Sequence, residues 1–140
     1  MLPDLQSSLL CDDVRQERNG KFILIGLFDA IAVPAFPAVF QRICLVNRWC
    51  CGEGEFAQRS RIYKPDGRTL LLEGKDVGVT LPDNEATATS VEFFLNVRIE
   101  AAGTYWVEIL LNGDLKIRYP LKARVLPPHA GHPPREGGVA

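Results

Sequence analysis

The chain has 140 residues, 16 Lys+Arg against 17 Asp+Glu, a net charge of −1 and 46% hydrophobic residues. That length suits one domain with a core of its own, so neither a metal nor a disulfide staple is required. The balanced charge leaves no field to steer the chain onto nucleic acid or an anionic membrane, and neither is expected as a partner.

The opening Met1-Leu2-Pro3-Asp4 carries no basic and apolar leader pattern, and no apolar run approaches the roughly 18 residues of a membrane helix. A soluble, cytoplasmic protein is the expectation. Leu9 to Glu17 reads as a strand leading into Arg18-Asn19-Gly20, and Lys21 to Phe28 as the strand that returns. A bulged loop there sets Glu17 opposite Lys21 and Val14 opposite Leu24. The second strand is apolar at nearly every residue, which predicts a central position covered on both sides. Ala32 to Ala38 is too rich in proline for a strand and predicts a connection. Phe40 to Cys50 predicts a long strand, and Gly52-Glu53-Gly54 a turn. Phe56–Tyr63 and Arg68–Leu72 flank a second turn at Pro65-Asp66-Gly67. Glu73 to Ala88 is poorly patterned and predicts a loop with at most one short edge strand.

The clearest alternation runs from Val91 to Ile99, where every odd residue is apolar. That pattern predicts odd residues on a core and even residues outward. Thr104 to Leu110 and Leu115 to Lys122 repeat it. Between them, a two-residue Asn112-Gly113 turn would set odd residues against even ones and violate the shared hydrophobic face. A three-residue loop, Leu111-Asn112-Gly113, removes the conflict. It places Ile109 opposite Leu115, Glu108 opposite Lys116, and Trp106 opposite Arg118 with a cation–π contact. From 127 to 140 the chain is rich in proline and glycine, holds both histidines, His129 and His132, and predicts a flexible tail. The whole reads as an all-β, immunoglobulin-like, two-sheet antiparallel sandwich of seven or eight strands over residues 6–126.

Ala102-Gly103-Thr104-Tyr105 resembles the Gly-x-Tyr opening of the penultimate strand in such sandwiches. The N-terminal series is more particular: Leu10-Cys11-Asp12-Asp13-Val14-Arg15, then Asn19-Gly20-Lys21, then Leu24 to Asp29. It resembles a family of bacterial proteins of unknown function with an immunoglobulin-like fold, over roughly residues 8–125. The resemblance implies the fold and carries over no catalytic or binding residue.

The chemistry is narrowed by what the body lacks. A serine or cysteine nucleophile needs a neighbouring base, and residues 1–128 contain no histidine, so no enzyme is expected. Cys11, Cys44, Cys50 and Cys51 have no CxxC spacing, and vicinal cysteines on a strand diverge, so no metal is expected and the thiols read as small apolar residues. Asp76, Asp83 and Glu85 lack the spacing of a calcium loop. No cofactor is implied. Lys116, Arg118, Lys122 and Arg124 line one face of the last strand, either as a stripe for an acidic partner or as the charges that blunt an exposed edge, and Pro120 favours the edge. Trp106 beside Arg118 is the pairing enriched at interfaces. The leading expectation is a non-enzymatic protein-interaction module, its partner unknown and homo-oligomerisation plausible. The alternative is a small-ligand or carbohydrate-binding domain with Trp49 or Trp106 as a stacking platform.

Overall fold

The computed structural model describes residues 2–127. The expected tail, with His129 and His132, lies outside the described residues apart from Pro127. Ten strands, rather than the expected seven or eight, form in chain order: β1 Asp4–Gln16, β2 Phe22–Phe28, β3 Ala30–Val33, β4 Ala38–Cys50, β5 Gly54–Tyr63, β6 Leu70–Glu73, β7 Val77–Leu81, β8 Thr87–Ile99, β9 Gly103–Leu111 and β10 Asp114–Val125. No helix occurs among the described residues. One sheet has the order β2-β1-β4-β8; the other runs β3-β10-β9-β5-β6, with β7 also paired to β5.

Both sheets contribute to one core. Ile43, Leu45 and Trp49 of β4 meet Ile62 of β5 and Val107 and Ile109 of β9. Each such side chain contributes about 1.5–3 kcal/mol when fully removed from water. The expected inward set of β9, Tyr105, Val107 and Ile109, is buried as its alternation requires.

The first hairpin has the expected register. Val14 stands opposite Leu24, and the Glu17 amide donates to the Lys21 carbonyl at 2.8 Å. Four further expectations need correction. β2 is an edge strand rather than a central one, so its apolar residues are not covered on both sides. Part of the proline-rich connection forms β3, which pairs with β10 in parallel, Lys122 opposite Ala30; the sandwich is therefore not wholly antiparallel. Proline enters only after β3, at Pro34, so the four residues ahead of it keep every amide the ladder needs.

The β9–β10 turn is the third. Asn112 and Gly113 both take left-handed φ, 50° and 85°, and form a two-residue turn with Leu111 opposite Asp114. The parity conflict is resolved inside β10 instead. A bulge between Leu115 and Ile117 shifts the ladder, so Ile117 faces Ile109 and Arg118 faces Glu108. Leu115 and Ile117 remain exposed, outside the core that Val107, Ile109 and Leu121 enter.

The fourth concerns β8. Val97 and Ile99 enter the core, but Phe93 and Leu95 point outward and Phe94 points in. Asn96, at φ 55°, lies at the reversal. A left-handed residue breaks strict alternation and exchanges the faces on either side.

Candidate functional site

The expected site residues separate. Trp49 is 0% exposed, and its indole Nε1 donates to Gln58 Oε1 at 2.7 Å inside the sandwich. It cannot be a stacking platform, because a ligand would have to displace the core to reach it. The sandwich-facing side of β4 carries Ile43, Leu45 and Trp49 at two-residue and four-residue steps, so strand parity puts the indole indoors. Trp106 is half-buried rather than fully exposed. The Arg118 guanidinium lies 4.9 Å over its ring, which realises the expected cation–π contact. Trp106 stands opposite Pro120, however, and Arg118 reaches the ring diagonally. Lys116 sits in the bulge, exposed, and does not meet Glu108.

Around Trp106 the outer face of the larger sheet is a lattice of opposite charges. Arg61 stands between Glu73 on β6 and Glu108 on β9, and Arg118 follows on β10. Arg61 Nε bonds Glu73 at 2.7 Å and Arg59 Nε bonds Asp76 at 2.8 Å. Glu73 is held below the usual carboxylate range, chiefly by its bond from Arg61. Such a face is stable in water, and its exposed pairs are individually worth little.

A cluster of polar groups inside the sandwich supports Trp49. Gln58 and Ser60 are fully buried. Ser90 Oγ donates to Gln58 Oε1 at 2.9 Å, Gln58 Nε2 donates to Glu92 at 3.3 Å, and Ser60 Oγ donates to the same carboxylate at 2.6 Å. Burial pushes the Glu92 carboxyl above its ordinary 4.5. A folded-state value above the unfolded one means that this group's stabilisation is complete below pH 4.5 and is lost as pH rises through the raised value. Glu92→Gln should therefore gain melting temperature relative to the wild type between pH 4.5 and neutrality. Thermal melts with parallel pH profiles for the two proteins would remove this account.

The opposite surface, the outer face of the four-stranded sheet, differs in kind. Ile43 and Leu45 face the core, so Cys44 and Val46 project from the other side. A single ladder row crosses all four strands: Leu27 opposite Cys11, Cys11 opposite Cys44, and Cys44 opposite Phe93. The next row is Leu9, Val46 and Val91. On the other side Ile25 and Leu95 flank the pair Asp13–Arg42, bonded at 2.6 Å. Arg42 also lies 5.6 Å over the Phe93 ring. Leu27, Phe93 and Leu95 are 59, 49 and 63% exposed.

The charges in this apolar field are internally matched. Asp13 is held below the ordinary carboxylate value, first by the Val14 amide and then by Arg15 and Arg42. Burial pushes the Cys44 thiol up to about 11 and raises Cys11 as well, which disfavours the thiolate form of both. Cys50 is half-buried, while Cys51 departs from the expected buried thiol and is exposed. Among the described residues no group of acidic, histidine and cysteine side chains could hold a metal ion. No helix there is long and apolar enough to cross a membrane. Alternation alone does not reveal this apolar field, because it assigns Phe93 and Leu95 to the core with Val97 and Ile99. The signal was the unbroken apolar runs Phe22–Ile25 and Ile43–Val46, which apolarise both faces of a strand.

Fold and surface define the class: an all-β, two-sheet domain with one charge-laced face and one apolar face. The chain belongs to the DUF6941 family, a family of unknown function, which matches residues 6–124. No curated protein matches it. Among solved structures it is similar to the Pseudomonas fluorescens alkylpurine DNA glycosylase AlkC bound to DNA containing an abasic-site analogue, at 12% identity and a TM-score of 0.52. The likeness covers 87% of this chain but 30% of that one, and it concerns the fold alone.

Proposed function

We infer that the protein is a non-enzymatic interaction module that binds a protein partner through the outer face of its four-stranded sheet. The observation that carries this is the row Leu27, Cys11, Cys44 and Phe93, apolar on the side of the sheet that faces away from the core. Antiparallel sheets with one solvated face normally alternate apolar and polar residues. Cys11 and Cys44 are themselves buried, but Leu27 and Phe93 at the ends of the row and Leu95 beside it are exposed, and large apolar side chains left exposed together are the usual mark of a surface that is covered in use. The absence of histidine from residues 1–128 and the disfavoured thiolates of Cys11 and Cys44 support a binding rather than a catalytic role.

An immunoglobulin-like sandwich is the fold we assign. Its support is the strand neighbours β5-β9-β10 in one sheet and β4-β8 in the other, with the Tyr105 hydroxyl donating to the Ala101 carbonyl at 2.8 Å. The bacterial cytoplasm is the compartment we assign, where the four cysteines would stay reduced.

Affinity purification from the native cell tests the face. Phe93→Glu and Leu27→Glu alter exposed positions and should abolish capture of a partner that the wild type retains. Arg118→Glu, on the charge-laced sheet, should leave capture intact. Equal retention by all of them, or loss with Arg118→Glu alone, would overturn the assignment.

A further inference from the structure

The free edge of the same sheet is a surface separate from its face. We propose that β2 pairs with β2 of a second copy, antiparallel about a two-fold axis through Ile25, joining two four-stranded sheets into one of eight strands. A free strand edge is a template for pairing, and proteins blunt it with short strands, charges, proline or inward-pointing charged residues. The other edges of this fold are blunted. β3, β6 and β7 are four, four and five residues long. β8 carries Arg98 and the inward Glu92. The uncovered first half of β10 carries Lys116, Arg118 and Pro120.

β2 has none of these charges or prolines. It spans seven residues, Phe22-Ile23-Leu24-Ile25-Gly26-Leu27-Phe28, with Ile23, Ile25 and Leu27 exposed. Its flanks are Lys21 and Asp29, both exposed. These two charges select the occupant and the register. Laid antiparallel on itself about Ile25, the strand sets Lys21 of one copy against Asp29 of the other, and the relation repeats by symmetry. The same register sets Ile23 against Leu27 and Phe22 against Phe28. It sets Leu24 against Gly26, whose left-handed φ of 69° interrupts the regular alternation beside the axis and which offers no side chain to compete for space. Shifting the register by two residues would separate the charges and place Lys21 or Asp29 beside an apolar side chain.

Sedimentation velocity on the full chain tests this with paired charge reversals. The wild type should sediment as a dimer of the 15.5 kDa chain. Lys21→Asp places acids opposite acids at both ends and should weaken the dimer at least about tenfold. Asp29→Lys should do the same with like positive charges. Mixing the two variants should restore a dimer, because each then meets its complement, and that recovery excludes misfolding as the cause of dissociation. In a Cys51→Ser background, Ile25→Cys should oxidise to a covalent dimer, since directly opposed residues lie within disulfide reach. Ile23→Cys should not, since residue 23 faces residue 27. A wild type that stays monomeric overturns the proposal. So does a dimer indifferent to both reversals and dissociated by Phe93→Glu, which would assign self-association to the face.

Discussion

Trp49→Ala should destabilise the domain by about 3–5 kcal/mol, the range for deleting a large buried aromatic side chain. Two losses combine. The indole is fully buried among both sheets, so its removal leaves a void that a packed sandwich fills poorly. The indole also donates the shortest bond made to Gln58, which in turn accepts from Ser90 and donates to Glu92. Trp49→Phe separates the two losses. It keeps much of the volume and gives up one of the two bonds that Gln58 Oε1 accepts, for an expected cost of about 0.5–1.5 kcal/mol, the net worth of a single hydrogen bond. Urea denaturation of the three proteins measures both figures. A cost below about 1 kcal/mol for Trp49→Ala would mean that the ring is not the core element its burial indicates.

Gly26→Ala is expected to cost about 2–3 kcal/mol, made up of backbone strain and a side-chain collision. Gly26 holds φ at +69°, and a Cβ there would overlap the Asp12 carboxylate across the β1–β2 ladder. Gly20→Ala is the control. Gly20 has φ of +93° in the same hairpin, but nothing lies within 4 Å of where its Cβ would be, so strain acts alone and the loss should be about 1–2 kcal/mol. Thermal melts of the two variants read the difference directly. Equal losses would show that Asp12 moves aside freely. Amide exchange localises the effect: Gly26→Ala should open β2 before the rest of the sheet, because an edge strand has one neighbour to hold it.

The two hairpins show how far local chemistry reaches. Around Asn19-Gly20, turn residues and hydrophobic parity agree, and the register of Val14 with Leu24 follows from both. Around Asn112-Gly113 they conflict. Parity favoured a longer loop, yet the chain keeps the two-residue turn and repairs parity with a bulge after Leu115. A bulge costs little where the strand edge is free, so the turn's preference prevails. The candidate site was less legible. The contact of Trp106 with Arg118 is legible because it spans one hairpin, but their expected register is not, since Trp106 stands opposite Pro120. Trp49 was misplaced, and the apolar face was unseen, because both depend on which side of β4 and β8 meets the second sheet.

The presence of strands, the positions of the turns, the lack of histidine in residues 1–128 and the charge balance are legible along the chain, and the sequence by itself determined them. Charge balance in particular shows only that acids and bases are nearly equal in number, 17 against 16. The tertiary structure decided their distribution: ion pairs lace the outer face of β5, β9 and β10, while the outer face of β1, β4 and β8 is apolar around the Asp13–Arg42 pair. It also decided that β2 ends as an edge. The physical reason is that an apolar residue is inside only relative to whatever lies across from it, and a single left-handed residue such as Asn96 exchanges the two sides of a strand without changing its pattern.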